Sequence, residues 1–498
     1  MVSGVQQQRL FAATVAAITL LVAFLAVGMP QDAFFLGDPG VKLIAARSVN
    51  AHPERPMEVD LPTIGSNKAP FVDPFFPVHG NHAHAATSEL FALTSAPLLA
   101  AFGIRGVYVL PVLGFVLAII GCAWLAVGLD ERRNPAFVVM IAAVCTPFVF
   151  YALEFWEHTP ALGAAAAATA LLVRAQTMRR GVLVGLLFGT AVLLRPEAIW
   201  FVVAVASGLP LLDPKPHRDA WIGAFALCLG VAAIPSLYAA WHFGAAVTPH
   251  IAVNKPLLLD GWFPNRLAFV RTWFTPSSRH VDVWSVAPAM VLAFLPLPRH
   301  RARGGRAFLW VVAIVYAALV LGTAPNDGAV QWGPRYLLFV YIPLLILASD
   351  ALWWIFSARR MAVLSLIIVT ASLRIDRAGY NDLRTWKTIY ERIVVFVERE
   401  SSPDEPVVTD LWWIDQIAAT LSDKRTFLYA SWPTPSDKLI RQLDSARVSR
   451  VVFVSSTSES SSSAESWFRG TCYSVGEIHA IADRDLTATH LHRACPDK

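Results

Sequence analysis

Glu154-Phe155-Trp156-Glu157-His158 is where this 498-residue chain gathers groups able to do chemistry. Its two carboxylates and one imidazole are the only acidic, basic or imidazole side chains between Arg133 and Arg174. An apolar interval of roughly 40 residues is too long for one bilayer crossing, which takes about 20, and suits two. The segment then falls at the turn between two membrane helices, at a water–lipid boundary. An ordinary polar turn with aromatic rings at the headgroup level is the plain alternative. Ionisable groups beside a membrane core are costly to keep there, which favours a functional role. If the segment is helical, Glu154 lies three residues from Glu157 and four from His158, on one face. That face suits a phosphate-bridging metal or the orientation of a sugar.

Other polar groups fall on the same side of the expected topology. Asp32 and Asp38 follow the first apolar run, and Gly37, Pro39 and Gly40 turn the chain around Asp38 ahead of a helix carrying Lys42. Asp38 is a candidate base or a cap of that helix. Arg195-Pro196-Glu197 separates two apolar runs, where the proline breaks the helix and the two charges are placed to pair. Arg335, in Gln331-Trp332-Gly333-Pro334-Arg335-Tyr336, opens an apolar run from the side that is otherwise poor in basic residues. It either snorkels or offers a planar fork to an anion. Lys255 and Arg266 sit in a loop on that side. His79, His82 and His84 lack the spacing of a zinc site and read as loop histidines. Acids and cations beside lipid suit transfer from a lipid phosphate. A carboxylate takes the proton of an acceptor hydroxyl, and a cation offsets charge growing on the departing phosphate.

The elements that must position these residues are membrane helices. The chain is 55% hydrophobic and only 15% charged, against about 25% charged for a soluble protein, and its mean hydropathy is +0.51. The apolar residues come in long runs, predicting about eleven crossings of bilayer length: near 10–29, 105–128, 136–152, 160–174, 181–194, 198–212, 221–241, 285–298, 307–324, 335–350 and 361–374. The run after Arg9 lacks a small-residue cleavage site and reads as a retained signal anchor. Arg132, Arg133, Arg174, Arg179, Arg180, Lys215, Arg218, Arg299, Arg301, Arg303, Arg306, Arg359 and Arg360 gather, with Arg9, on one set of ends. Positive-inside bias makes that set cytoplasmic. The N-terminus is then inside and the C-terminus outside. The net charge of +5 thus reflects helix ends and implies no nucleic-acid partner.

Three longer segments lie outside: 30–104, 242–284 and a tail from about 376. The first has a helical start, Val41 to Val49, a Pro-rich middle, and an apolar stretch at 89–103 too short to cross, either re-entrant or interfacial. In the tail, Pro406–Thr409, Thr426–Tyr429 and Val451–Ser455 read as strands among helical patterns such as 383–399, making a small α/β domain. The division is therefore 1–375 and 376–498. Cys122, Cys145 and Cys228 lie in apolar spans as packing residues. An oxidising compartment allows Cys472 and Cys495 to pair.

With these residues the chain resembles the GT-C-fold membrane glycosyltransferases that use polyprenyl-phosphate-linked sugars, the protein O-mannosyltransferase-like and aminoarabinose-transferase-like group. The resemblance rests on an acid just after the first span (Asp38, with Asp32 as rival), an acid/His motif in the next outer turn (Glu157, His158), a large first outer loop and an outer C-terminal domain. It covers about residues 1–375, and the Asp-Glu pair common in the first loop is absent, since Pro39 follows Asp38. It implies an α-helical polytopic fold and transfer of a sugar from a polyprenyl-phosphate donor to a glycan, lipid or protein hydroxyl on the outer face of the plasma membrane, with inversion. Asp38 would be the base. Glu157 and His158 would position sugar, acceptor or a divalent metal, the one candidate cofactor. Arg195 and Arg335 would hold the lipid phosphate, with Glu197 and Lys255 also contacting substrate. A flippase for a lipid-linked sugar is the rival reading, but it favours mid-bilayer charges and inverted repeats; a non-catalytic envelope-assembly protein is the other.

Overall fold

The computed structural model describes residues 4–35, 39–56, 58–70, 72, 74–79, 82–174, 177–212, 218–243, 262–275, 281–296, 303–328, 332–357, 362–429, 435–456, 464–481 and 485–495. The apolar runs form helices: α1 Gly4–Val27, α2 Pro39–Ala51, α3 Glu89–Phe102, α4 Val109–Leu129, α5 Pro135–Val144, α6 Phe148–Ala152, α7 His158–Leu172, α8 Met178–Leu194, α9 Ala198–Gly208 and α10 Arg218–Phe243. Helices Trp262–Phe274, Arg303–Thr323, Tyr341–Ser357 and Ala362–Glu400 follow. Local signals set several starts. Asn134 accepts from the amides of Ala136 and Phe137 ahead of Pro135 in α5, and Ser88 and Thr177 cap α3 and α8 in the same way, each satisfying amides that lack an intrahelical partner.

Among the described residues, five helical stretches are long and apolar enough to cross a membrane: Val5–Val27, Glu89–Leu129, Arg218–Trp241, Gly304–Thr323 and Arg335–Ile355. Helix length therefore does not reproduce eleven separate crossings. The expected crossing at 136–152 is split into α5 and α6 around Pro147. That at 285–298 is a four-residue helix, Val283–Val286, and a seven-residue 3₁₀ segment, Pro288–Phe294; the latter spans only about 14 Å at 2.0 Å per residue. The 361–374 and 383–399 patterns are one unbroken helix of 39 residues. The 89–103 stretch is α3, joined through the 3₁₀ segment Gly103–Tyr108 to α4.

The chain divides into two compact units. One takes Met1–Met29, Arg105–Thr248 and Asn254–Leu383; the other takes Pro30–Ile104 with Arg384–Lys498. The sequence placed 30–104 with the membrane helices and drew the boundary at 375, whereas the compact units group that loop with the tail.

In the helical unit, α7 is buried along nearly its whole length, which explains its alanine run: a helix enclosed on all sides needs no polar face. It lies parallel to α4. A Cβ on Gly114 would stand 2.2 Å from the Pro160 nitrogen, and one on Gly121 2.7 Å from the Ala167 nitrogen. Small residues at such crossings let helix backbones approach closely, and that packing drives association where lipid removes the hydrophobic contrast. Gly181 and Gly185 of α8 meet Ala220 and Ala224 of α10 in the same manner. At the far end of α4, Arg133 donates to both carboxylate oxygens of Asp350, at 2.8 and 2.7 Å.

The second unit holds two short hairpins, β1 Thr63–Ile64 with β2 Asn67–Lys68 and β3 Val78–His79 with β4 His82–Ala83; His79 and His82 are paired across the latter. Its main sheet has five strands, β5 Val407–Thr409, β6 Phe427–Tyr429, β7 Arg450–Ser456, β8 Tyr473–Ile481 and β9 Leu486–Arg493, in the order β6-β5-β7-β9-β8. β5 is parallel to β6 and β7; β7–β9 and β9–β8 are antiparallel. β5 and most of β7 are buried, as strands covered on both faces are. The outer β8 is exposed along almost its whole length, so it carries no apolar signal. A disulfide joins Cys472, just before β8, to Cys495, just after β9. The loop is fastened to the tail's polypeptide by Arg47, which donates to the carbonyls of Ala419 (2.8 Å) and Thr420 (3.2 Å) and to the Ser422 hydroxyl (2.9 Å). Thr420 in turn donates to the Asp32 carbonyl at 2.7 Å.

Candidate active site

EFWEH is not helical. It is the bend between α6 and α7, and His158 is the first residue of α7. The shared helical face expected for Glu154 and His158 is therefore absent: α6 ends at Ala152 and leaves residues 153–157 to turn the chain. Nor does the segment sit at an exposed boundary. Glu154, Phe155 and Trp156 are fully buried, and Glu157 and His158 are 3% and 2% exposed. Glu154 is tied into the bend, its Oε1 accepting from the Phe155 amide at 2.8 Å. The start of α7 is held by Thr159, which donates to the Pro111 carbonyl at 2.7 Å, so the α4–α7 packing sets where Glu157 and His158 stand.

Arg195 reaches Glu157 across 38 residues of sequence. Its Nη1 donates to Glu157 Oε1 at 3.0 Å. Its Nε donates to Glu197 Oε1 at 2.7 Å, and its Nη2 bonds the same oxygen. The Arg195-Pro196-Glu197 turn between α8 and α9 thus brings two carboxylates to one guanidinium, a cluster of net charge −1 in which Arg195 is 5% exposed. Removing such charges from water is costly unless hydrogen bonds satisfy them. The sequence offered Arg195 either a pairing with Glu197 or a lipid phosphate; the pairing is present, and its three nitrogens bond Glu197 and Glu157, which holds the Glu157 carboxylate in place.

Arg335 lies beside this cluster, linked by Tyr336. The Arg335 guanidinium carbon is 5.0 Å from the Tyr336 ring centre and that of Arg195 is 5.9 Å from it, both within cation–π range. Arg335 also donates to the Tyr336 hydroxyl at 3.3 Å, which donates to Asn326 Oδ1 at 3.3 Å. Gly328, at φ +94°, leaves the Arg335 stem room: a Cβ there would be 3.3 Å from Arg335 Cγ. Aromatic rings wall the other side. His158 packs on Tyr151 at 4.9 Å and Trp156 at 5.5 Å, Phe150 stacks on Trp332 at 5.9 Å, and the Tyr151 hydroxyl donates to the Gly333 carbonyl at 3.3 Å.

The structure therefore brings Glu157, His158, Arg195, Glu197 and Arg335 to one end of the helical unit. Asp38 and Lys255 lie outside the described residues; Asp32 is described and exposed. Sequence reasoning missed Tyr151, Tyr336, Asn326 and Trp332. Their only signal is adjacency to EFWEH and to Arg335, since neither an aromatic in an apolar run nor an asparagine in a loop marks a site by itself. Arg266 turns out to be structural: it is buried and donates to the Leu321 carbonyl at 3.0 Å and to that of Ala324, satisfying the C-terminus of helix Arg303–Thr323. Among the described residues, no three His, Cys, Asp or Glu donors converge here as they would around a metal.

No protein-family model matches the sequence, and a search of curated proteins returns no match. Solved structures do match. ArnT from Cupriavidus metallidurans in the apo state aligns with a TM-score of 0.54 at 13% identity over 97% of this chain and 98% of that one. The same protein bound to undecaprenyl phosphate gives 0.52 at 14%, over 96% and 97%. The archaeal oligosaccharyltransferase AglB from Archaeoglobus fulgidus, in complex with an inhibitory peptide and a dolichol-phosphate, gives 0.52 at 13%, over 88% and 69%. At such identity the likeness establishes the fold, and the fold of this chain is the GT-C fold that ArnT and AglB share.

Proposed function

We propose that the protein is a membrane glycosyltransferase that moves a sugar from a polyprenyl-phosphate donor to an acceptor hydroxyl on the outer face of the plasma membrane. The observation that carries this reading is the buried Glu157–Arg195–Glu197 cluster beside Arg335, in a chain aligned along 97% of its length with ArnT. The polyprenyl phosphates in the ArnT and AglB structures supply the donor class.

In this reading Asp38 takes the proton of the acceptor hydroxyl. The resulting oxygen attacks the anomeric carbon, the bond from that carbon to the phosphate oxygen breaks, and the polyprenyl phosphate leaves with the electron pair. Attack opposite the leaving group inverts the centre. Arg335 and Lys255 offset the charge that grows on the phosphate. Glu157, oriented by Arg195 and Glu197, accepts hydrogen bonds from sugar hydroxyls, and His158 borders the sugar. No step is assigned to a metal. The N-terminus is cytoplasmic, following the arginine-rich helix ends.

The test is mass spectrometry of envelope glycans from a deletion strain carrying wild-type protein, Asp38→Asn or Glu157→Gln. The deletion should lose one sugar modification, and wild type alone should restore it. Full restoration by either variant, expressed at wild-type level, overturns the assignment of that residue; restoration by both overturns the enzyme reading.

A further inference from the structure

The tail carries a second constellation that the glycosyl-transfer reading does not use. Glu400 is the last residue of helix Ala362–Glu400, His479 lies on β8 and His490 on β9. Glu400 Oε2 is 2.5 Å from His479 Nδ1 and 3.3 Å from His490 Nε2. The donor atoms of all three lie within 4.8 Å of one another, the one such group among the described residues.

We infer that Glu400, His479 and His490 form a site for a divalent cation of the zinc type, with its remaining coordination position open to solvent. Three features carry this beyond mere proximity. The first is the bulge in β8. Val475 pairs with Leu491, but Ile478 pairs with Thr489, so two residues of β8 oppose the single His490. One extra residue reverses which face each later side chain takes. His479 consequently pairs with Ala488 and shares the face of its diagonal neighbour His490; in the unbulged register it would face away.

The second feature is that the carboxylate is already oriented. Glu400 is 7% exposed. Its other oxygen, Oε1, accepts from Arg399 Nε at 2.8 Å and Nη2 at 2.7 Å, which directs Oε2 to the imidazoles. The third feature is the ring's direction: His479 Nε2 lies on the Glu477 side, 3.6 Å from that carboxylate, which leaves Nδ1 as the nitrogen turned to Glu400 and His490.

Two imidazoles and one carboxylate make a donor set that zinc takes in open sites, with bonds of about 2.0–2.2 Å, so tetrahedral donors stand roughly 3.3 Å apart. The Glu400–His490 separation already has this value. The Glu400–His479 separation of 2.5 Å, with His479 on an exposed edge strand, has to lengthen by about 0.8 Å to match. The cation would fasten the end of the long helix to the last two strands, on the side of the tail where β8 lacks an outer neighbour.

The experiment uses the full-length protein, freed of any affinity tag and stripped with chelator, titrated with zinc chloride by calorimetry, with metal content measured after gel filtration. Wild type should bind one zinc that His479→Ala, His490→Ala and Glu400→Gln each weaken at least about tenfold, while His492→Ala, an exposed neighbour on β9, leaves binding unchanged. His479 is 45% exposed on its side chain, so its variant tests the idea without threatening the fold. Cobalt should report the same site by a visible absorption band that His479→Ala abolishes. Absence of stoichiometric zinc in wild type, or wild-type affinity in His479→Ala or in His490→Ala, overturns the proposal.

Discussion

Replacing Arg195 by methionine should cost far more stability than replacing Glu157 by glutamine, although both break the same ion pair. Arg195→Met leaves Glu157 and Glu197, whose side chains are 4% and 11% exposed, facing each other without the cation. Removing one partner of a buried pair in this way costs about 3–5 kcal/mol. Glu157→Gln instead keeps an acceptor oxygen for Arg195 Nη1 and leaves one guanidinium with one carboxylate, Glu197. Its cost is the difference between a charged and a neutral hydrogen bond, about 1 kcal/mol. At about 2 °C per kcal/mol for a large domain, the apparent melting midpoint should fall by about 6–10 °C for Arg195→Met and by about 2 °C for Glu157→Gln. The assay is size-exclusion chromatography after heating, in one detergent and at one heating rate, because the midpoint of an irreversible transition depends on rate. The triple variant Arg195→Met/Glu157→Gln/Glu197→Gln, which removes every charge, should recover most of the loss. An Arg195→Met midpoint within about 2 °C of wild type, or a Glu157→Gln loss as large as that of Arg195→Met, refutes the reasoning that the pair is a desolvated, mutually dependent cluster.

Gly114→Val should prevent α4 from seating on α7, since even a Cβ would lie 2.2 Å from the Pro160 nitrogen; overpacking of at least about 1–3 kcal/mol should appear as reduced monodisperse yield, whereas Gly230→Ala, with nothing within 4 Å, should leave yield intact. Cys472→Ser/Cys495→Ser opens a loop of 23 residues and should destabilise the tail by about 3 kcal/mol on the chain-entropy account, read as faster limited proteolysis of β8 and β9. Glu405 is buried, which opposes its ionisation, yet hydrogen bonds from Ser402 and the charge of Arg450 at 2.8 Å hold its pKa below the ordinary value of 4.5. A depressed carboxyl stabilises the fold above its unfolded pKa and loses that contribution as pH falls through the folded one; the tail's melting midpoint should therefore drop below about pH 4.5 in wild type, and Glu405→Gln should flatten that part of the profile.

Much of this is legible in the amino-acid sequence. The apolar runs specify helices because a bilayer-length stretch without charge has no other way to satisfy its backbone, and α1, α4, α7, α8, α9 and α10 fall where those runs do. The strands β5, β6 and β7 were visible because a buried strand is a short apolar run. β8 was not, since an exposed edge strand shows neither alternation nor an apolar run. The isolated charges of EFWEH, the Arg195-Pro196-Glu197 break and Arg335 were conspicuous because polar groups are rare in such surroundings.

What the chain alone could not state is which partner each charge takes. Glu157 meets Arg195 across 38 residues, Arg47 meets Ala419 across 372, and neither distance leaves a local trace in composition or periodicity. The non-helical bend at 153–157 follows from Pro160, whose ring bars a helix from running through residue 156, and from the close approach of α4 and α7, a packing constraint external to the segment. The β8 bulge that sets His479 beside His490 is a matter of register, and register is decided by the pairing strand. The sequence determined where most of the helices lie and where ionisable groups are concentrated, because hydropathy and backbone hydrogen bonding act locally. Tertiary structure decided which of those groups meet, because charge pairing and strand register depend on residues that only folding brings together.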